Sequence, residues 1–149
     1  MKKLLVLLLT LSLTGFLGAC SGGGANGGGA GSTAKGTGFT MDVADGWTVA
    51  KEGDYVRLEK GDAFIEIGFS QMGFPPPPEN VTSLSFKFAE QSWQGFETEG
   101  VNRVQAEYES DVFCGIHTSG IDVDDPVIIT MVESIVVDSS VTLPIADFR

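Results

Sequence analysis

The sequence predicts a single α+β domain, an antiparallel sheet covered by one or two helices, set behind a leader and a glycine-rich tether. Three observations predict it. Between residues 39 and 69, apolar side chains alternate with polar ones and are punctuated by Asp45-Gly46, Gly53-Asp54 and Gly61-Asp62, the pattern of half-buried strands joined by turns. Between residues 84 and 96, Leu84, Phe86, Phe88, Ala89, Trp93 and Phe96 recur at helical spacings. The patterned stretch, residues 39–138, is about 100 residues long, enough for one modest core and not for two.

The chain opens on Met1-Lys2-Lys3, runs almost wholly apolar over residues 4–17, and sets Leu17-Gly18-Ala19 against Cys20. A basic end, an apolar core and a small-residue cleavage site make a secretory signal over residues 1–19. The apolar run is shorter than the roughly 20 residues of a spanning helix. Leu17-Gly18-Ala19-Cys20 resembles the lipobox of bacterial lipoproteins. That resemblance implies cleavage before Cys20, diacylglycerol on its sulfur, and an acyl chain such as palmitate on its amino end. Two or three chains, at about 0.8 kcal/mol per buried methylene, anchor where one would be reversible. A secreted protein with a chance cysteine is the alternative. The expected location is the extracytoplasmic face of the cell membrane, or the periplasmic face of the outer membrane in a Gram-negative envelope.

From Cys20 to residue 38 the chain is dominated by glycine and has no large apolar side chain, so it cannot repay the entropy of ordering. It is expected to be a coil spanning roughly 20–25 Å. Strands follow at residues 39–43, 47–49, 55–58 and 63–69. Pro75-Pro76-Pro77-Pro78 then breaks the pattern, because four donors are missing and the rings favour an extended rod. Thr82 or Ser83 offers an N-cap for a helix over residues 84–94. Strands are expected at 101–108 and 112–121. At 126–137, Asp125-Pro126 looks like a cap and first helical residue, whereas the β-branched density suits a strand; the cap tips the reading to a helix. Residues 139–149 are expected to be loose apart from Leu143 and Ile145.

Phe39-Thr40-Met41-Asp42-Val43-Ala44-Asp45-Gly46-Trp47 is similar to the opening of PsbP-like and LpqN/DcrB-like domains, where a strand runs through a Gly-Trp turn into a second strand. The later order, ending near Glu133-Ser134-Ile135, also resembles that family. The resemblance implies an antiparallel sheet with helices packed on it, in mostly non-catalytic binding or assembly proteins. It carries no site residues.

Charge and chemistry narrow the function classes. The net charge is −11 and becomes more negative once Lys2 and Lys3 leave with the leader. Such a surface disfavours nucleic acid and anionic headgroups, leaving the lipid on Cys20 as the membrane contact. With Cys20 lipidated, Cys114 has no disulfide partner. Cys114 and His117 stand three apart in a strand and so face opposite sides, which a nucleophile–base dyad does not permit. One histidine and one free thiol are too few for zinc. Asp122, Asp124 and Asp125 lack the glycine and terminal glutamate of a calcium loop and read as a solvated turn. Trp47 and Trp93 are expected in the core, with a ligand-lining role beside Tyr55 as the alternative. No cofactor is implied. The expected function is a non-catalytic binding or assembly domain with a protein or small-molecule partner. The alternatives are an envelope hydrolase working through carboxylates and a passive structural lipoprotein. Met72 and Phe74, before the proline rod, are the candidate contact residues, or else a lid folded back on the core.

If Cys20 carries the lipid, Cys20→Ser leaves an uncleaved or released protein that no longer partitions with membranes. Equal retention of the mutant after fractionation would sink the lipoprotein reading.

Overall fold

Alternation of period two runs through far more of this chain than its first strands, and the fold follows it. The computed structural model describes residues 31–73, 75–109 and 111–144. Their strands are β1 (Ser32–Gly36), β2 (Phe39–Val43), β3 (Thr48–Lys51), β4 (Tyr55–Lys60), β5 (Ala63–Ser70), β6 (Thr82–Phe88), β7 (Gln91–Thr98), β8 (Val101–Glu109), β9 (Val112–Ser119) and β10 (Val136–Val137), with one helix, α1 (Pro126–Glu133), before the last. The pairings between these strands are antiparallel and make a seven-stranded sheet in the order β3-β4-β5-β9-β8-β7-β6 and a three-stranded sheet in the order β1-β2-β10.

The expected α+β fold is therefore corrected to a mostly β one, with 56% of the described residues in strands and 7% helical. The error lies in residues 84–94, which form no helix. Leu84, Phe86 and Phe88 turn inward while Ser83, Ser85 and Lys87 are exposed, so the run obeys period two as well as period 3.6. The chain then reverses at Ala89-Glu90, both with positive φ (49° and 59°), and β7 returns along β6. A two-residue turn of this hand ordinarily carries Asn-Gly or Asp-Gly. Ala89-Glu90 gives no such signal and favours a helix by propensity. A second two-residue turn, at Glu99-Gly100, then folds β8 back along β7, and the two successive hairpins hold the segment extended.

Two further segments depart from expectation. Ser32–Gly36, assigned to the tether by composition, is a strand paired with β2 over five residues. Ala34 is buried, and a Cβ at Gly36 would lie 2.0 Å from the Phe39 ring, so glycine makes room for that aromatic. Composition reads only average hydrophobicity and misses a strand whose small residues are its inward ones. At the other end, the Gln71 N–H donates to the Pro144 carbonyl at 3.2 Å, a tie within the stretch expected to be loose; Leu143, the expected exception there, packs against the core. Ile145 lies outside the described residues.

The core is the layer between the two sheets. The large sheet contributes Val56, Leu58, Ile65, Ile67 and Ile116; β2 contributes Phe39, Met41 and Val43; α1 contributes Ile128, Met131 and Val132. Asp125 caps α1 by accepting the Val127 N–H at 2.8 Å, and Pro126 follows in the first turn, where a missing N–H costs nothing. Ser134 ends it: its hydroxyl donates to the Met131 carbonyl at 2.6 Å and accepts the Asp42 N–H at 2.9 Å, tying the helix to β2. Trp93 stacks on Phe88 at 4.8 Å and donates its indole N–H to the Phe88 carbonyl. Gly95 has a structural reason too, since a Cβ there would meet the Arg103 carbonyl oxygen at 1.8 Å. Among the described residues no helix is long and apolar enough to cross a membrane.

The left-handed turn yields a prediction. Replacing Ala89-Glu90 by Asn-Gly removes a steric cost of about 1–2 kcal/mol per residue. The double mutant is expected to melt at a higher temperature than wild type; a lower melting temperature would mean that the turn is not strained.

Candidate functional site

The β5–β9–β8 ladders place Phe69, Cys114 and Ala106 side by side on the core face. Two small side chains beside a large one leave space that only a neighbouring element could fill. The nearest one is α1, which is eight residues long and reaches the space through its last two residues, Val132 and Glu133, and the following Ile135. The result is a cleft of about 350 Å³, floored by Phe69, Ala106 and Cys114, walled by Trp93, Val132 and Ile135. That volume lies within the range of small-ligand sites, and the interior is apolar as such sites are.

Tyr108 stands at the mouth, 40% exposed, with its ring edge-on to Phe69 at 5.3 Å. Glu90, Gln91 and Glu133 complete the rim, and among the described residues no Lys, Arg or His lines the cleft. The rim is therefore negative, which favours neutral or cationic ligands over anionic ones. Ala89 and Glu90 also line it, so the two left-handed turn residues border this cleft. Strain of this kind persists only where its surroundings hold it, and it recurs at ligand clamps. Cys114 is inert here: burial pushes its thiol far above the ordinary range, and only a thiolate is nucleophilic.

The opposite face of the sheet is polar. Arg57, Glu66, His117, Arg103 and Phe96 stand in register across β4, β5, β9, β8 and β7. Arg57 pairs with both Glu59 and Glu66 at 2.7 Å and lies over the Phe64 ring at 4.2 Å. His117 Nδ1 is 3.4 Å from the second oxygen of Glu66. Both Glu66 and His117 are buried. Burial alone would raise the Glu66 carboxyl, but hydrogen bonds with His117 and Arg57 outweigh it and hold it below its ordinary value. A carboxylate beside an imidazole can orient a catalytic base, but His117 is 3% exposed and packs within the sheet face. The arrangement binds strands together and fixes their order.

The candidate residues from the sequence are scattered. Cys20 and Phe74 lie outside the described residues. Met72 is 58% exposed and its side chain is no lid; its backbone is held in a turn by the Ser70 hydroxyl, which accepts the Met72 N–H and donates to the Met72 carbonyl. Pro75, Pro76 and Pro77 border an open groove over Ser83, Ser85, Gln94 and Gln105. Cys114 points into the cleft and His117 to the other face. Trp47 and Trp93 are buried, whereas Tyr55 carries the Lys51 ammonium over its ring at 3.7 Å. Asp125 is the helix cap, and among the described residues no three His, Cys, Asp or Glu side chains group to hold a metal.

Sequence reasoning missed Ala106, Tyr108, Val132 and Glu133, which become neighbours only through strand order. Glu66 was detectable, being a lone acid inside an apolar run, where unpaired charge is rare.

The Glu66 pairing has a pH consequence. A carboxyl held below its ordinary 4.5 contributes stability that is complete above that pH and is lost as pH falls below it. Glu66→Gln is expected to cost about 1.5–3 kcal/mol near neutrality, the worth of hydrogen bonds to a charged group. Denaturant titrations at several pH values should show the gap from wild type closing below that point. A gap that stays constant down to acid would rule out an ionised Glu66.

Compared with known protein families, curated proteins and solved structures, the chain matches none.

Proposed function

We propose that this chain is a lipid-anchored extracytoplasmic binding protein, without catalysis, whose ligand has an apolar body and a neutral or cationic end. The observation that carries the proposal is the cleft of about 350 Å³ between the large sheet and α1. Its floor is apolar, which supplies affinity by removing ligand surface from water at roughly 25 cal/mol per Å². Its rim residues Glu90 and Glu133 supply the preference for charge. The leader and the lipobox-like Leu17-Gly18-Ala19-Cys20 support the location at the membrane.

Trp93 in the cleft wall gives a direct readout. Dodecyltrimethylammonium, dodecyl maltoside and dodecyl sulfate, each below its micellar concentration, serve as cationic, neutral and anionic probes of one chain length. The cationic and neutral probes are expected to change the tryptophan emission at lower concentration than the anionic one. Ala106→Met fills the floor and should weaken binding about tenfold, or ~1.4 kcal/mol, while the far-UV spectrum is unchanged. Binding that is indifferent to Ala106→Met would place the ligand elsewhere.

A further inference from the structure

The two sheets have four edges, and three of them are closed. At β1, the Lys35 N–H donates to Glu52 Oε1 at 2.7 Å, the Thr37 N–H donates to the Gly53 carbonyl at 2.7 Å, and Gly36 bridges to Gly53. At β10, only two residues pair, and the Asp138 N–H that follows donates to the Gly38 carbonyl. At β3, the strand is four residues long and its register is broken between Val49 and Lys51. These are the ordinary ways in which a sheet avoids adding foreign strands.

The fourth edge, β6, has none of these devices. It pairs with β7 through seven residues in unbroken register, contains no proline, and carries one charge, Lys87. Among the described residues no backbone hydrogen bond other than those to β7 reaches it. Its backbone groups thus offer the ladder that an extended strand requires.

We propose that β6 pairs antiparallel with β6 of a second copy of this chain, across a two-fold axis at Ser85, so that two large sheets become one. A copy fits because both faces then continue. In this register Leu84 stands opposite the other copy's Phe86 on the apolar face, and Lys87 opposite Ser83 on the polar one. No like charges meet, although the chain as a whole carries −11. A two-fold contact of this kind is self-complementary and closes at two copies. The buried edge is small by the standard of stable interfaces, so the dimer is expected to dissociate on dilution.

Sedimentation velocity on the full chain in mild detergent, over a wide range of concentration, tests the proposal. The wild type is expected to move from one to two copies as concentration rises. Ser85→Lys and Ser85→Glu place like charges face to face at the axis, and each alone should remain a monomer with an unchanged far-UV spectrum. Mixed in equal amounts, the two variants should recover the dimer, because opposite charges then meet. A wild type that stays monomeric throughout, or a dimer that survives both single substitutions, would overturn the proposal; so would a mixture that fails to pair when the wild type does.

Discussion

The register between β5 and β9 is the constraint on which the molecule depends. These central strands match Ile67 with Ile116 and Phe69 with Cys114 on one face, and Glu66 with His117 and Gly68 with Gly115 on the other. Because side chains alternate along a strand, a slip of one residue would exchange every one of these for its neighbour. Glu66 would then enter the apolar layer without Arg57, at the cost of burying an unpaired charge. The ion pair on the outer face therefore does more than join β4 to β5. It penalises the wrong register and so defends the core on the opposite side.

The cleft follows from the same alignment. A three-stranded sheet and an eight-residue helix cannot cover seven strands, so part of the large sheet lies beyond their reach. That part carries Ala106 and Cys114, whose small side chains deepen the hollow, and Phe69 and Trp93, whose rings bound it. The hairpin tip at Ala89-Glu90 bends over its edge in a conformation that L-residues adopt at a cost. The helix stays in place through Ser134, whose hydroxyl serves both the last turn of α1 and the backbone of β2. Binding surface and structural frame thus share residues, and a change at either is felt at the other.

The outer face shows how an acidic chain keeps an ordered polar surface. Arg57 sits between two carboxylates and over an aromatic ring, contacts that use its planar fork as a lysine could not. Burial raises the cost of each charge there, and pairing offsets it. The proline segment and Met72 pass over the far part of the same sheet as loop, outside both the core and the cleft.

The features legible in the chain alone are those written within a few residues of one another. The alternation at Phe39-Met41-Val43 and at Ala63-Ile65-Ile67-Phe69 reads directly as β2 and β5, and Asp125-Pro126 marks the start of α1, because a strand face and a helix cap are local properties. The opposition of Cys114 and His117 is legible for the same reason. Tertiary structure alone decided the rest. Residues 84–94 satisfy both periods, and the pairing of β6 with β7, and of β7 with β8, makes them strands. Ser32–Gly36 resembles its coil neighbours in composition until β2 gives it a partner. The cleft joins residues from β5, β7, β8, β9 and the end of α1, whose meeting depends on strand order and register. Those depend on the ladder between β5 and β9, whose two sides lie far apart in the sequence, so that no short stretch contains both.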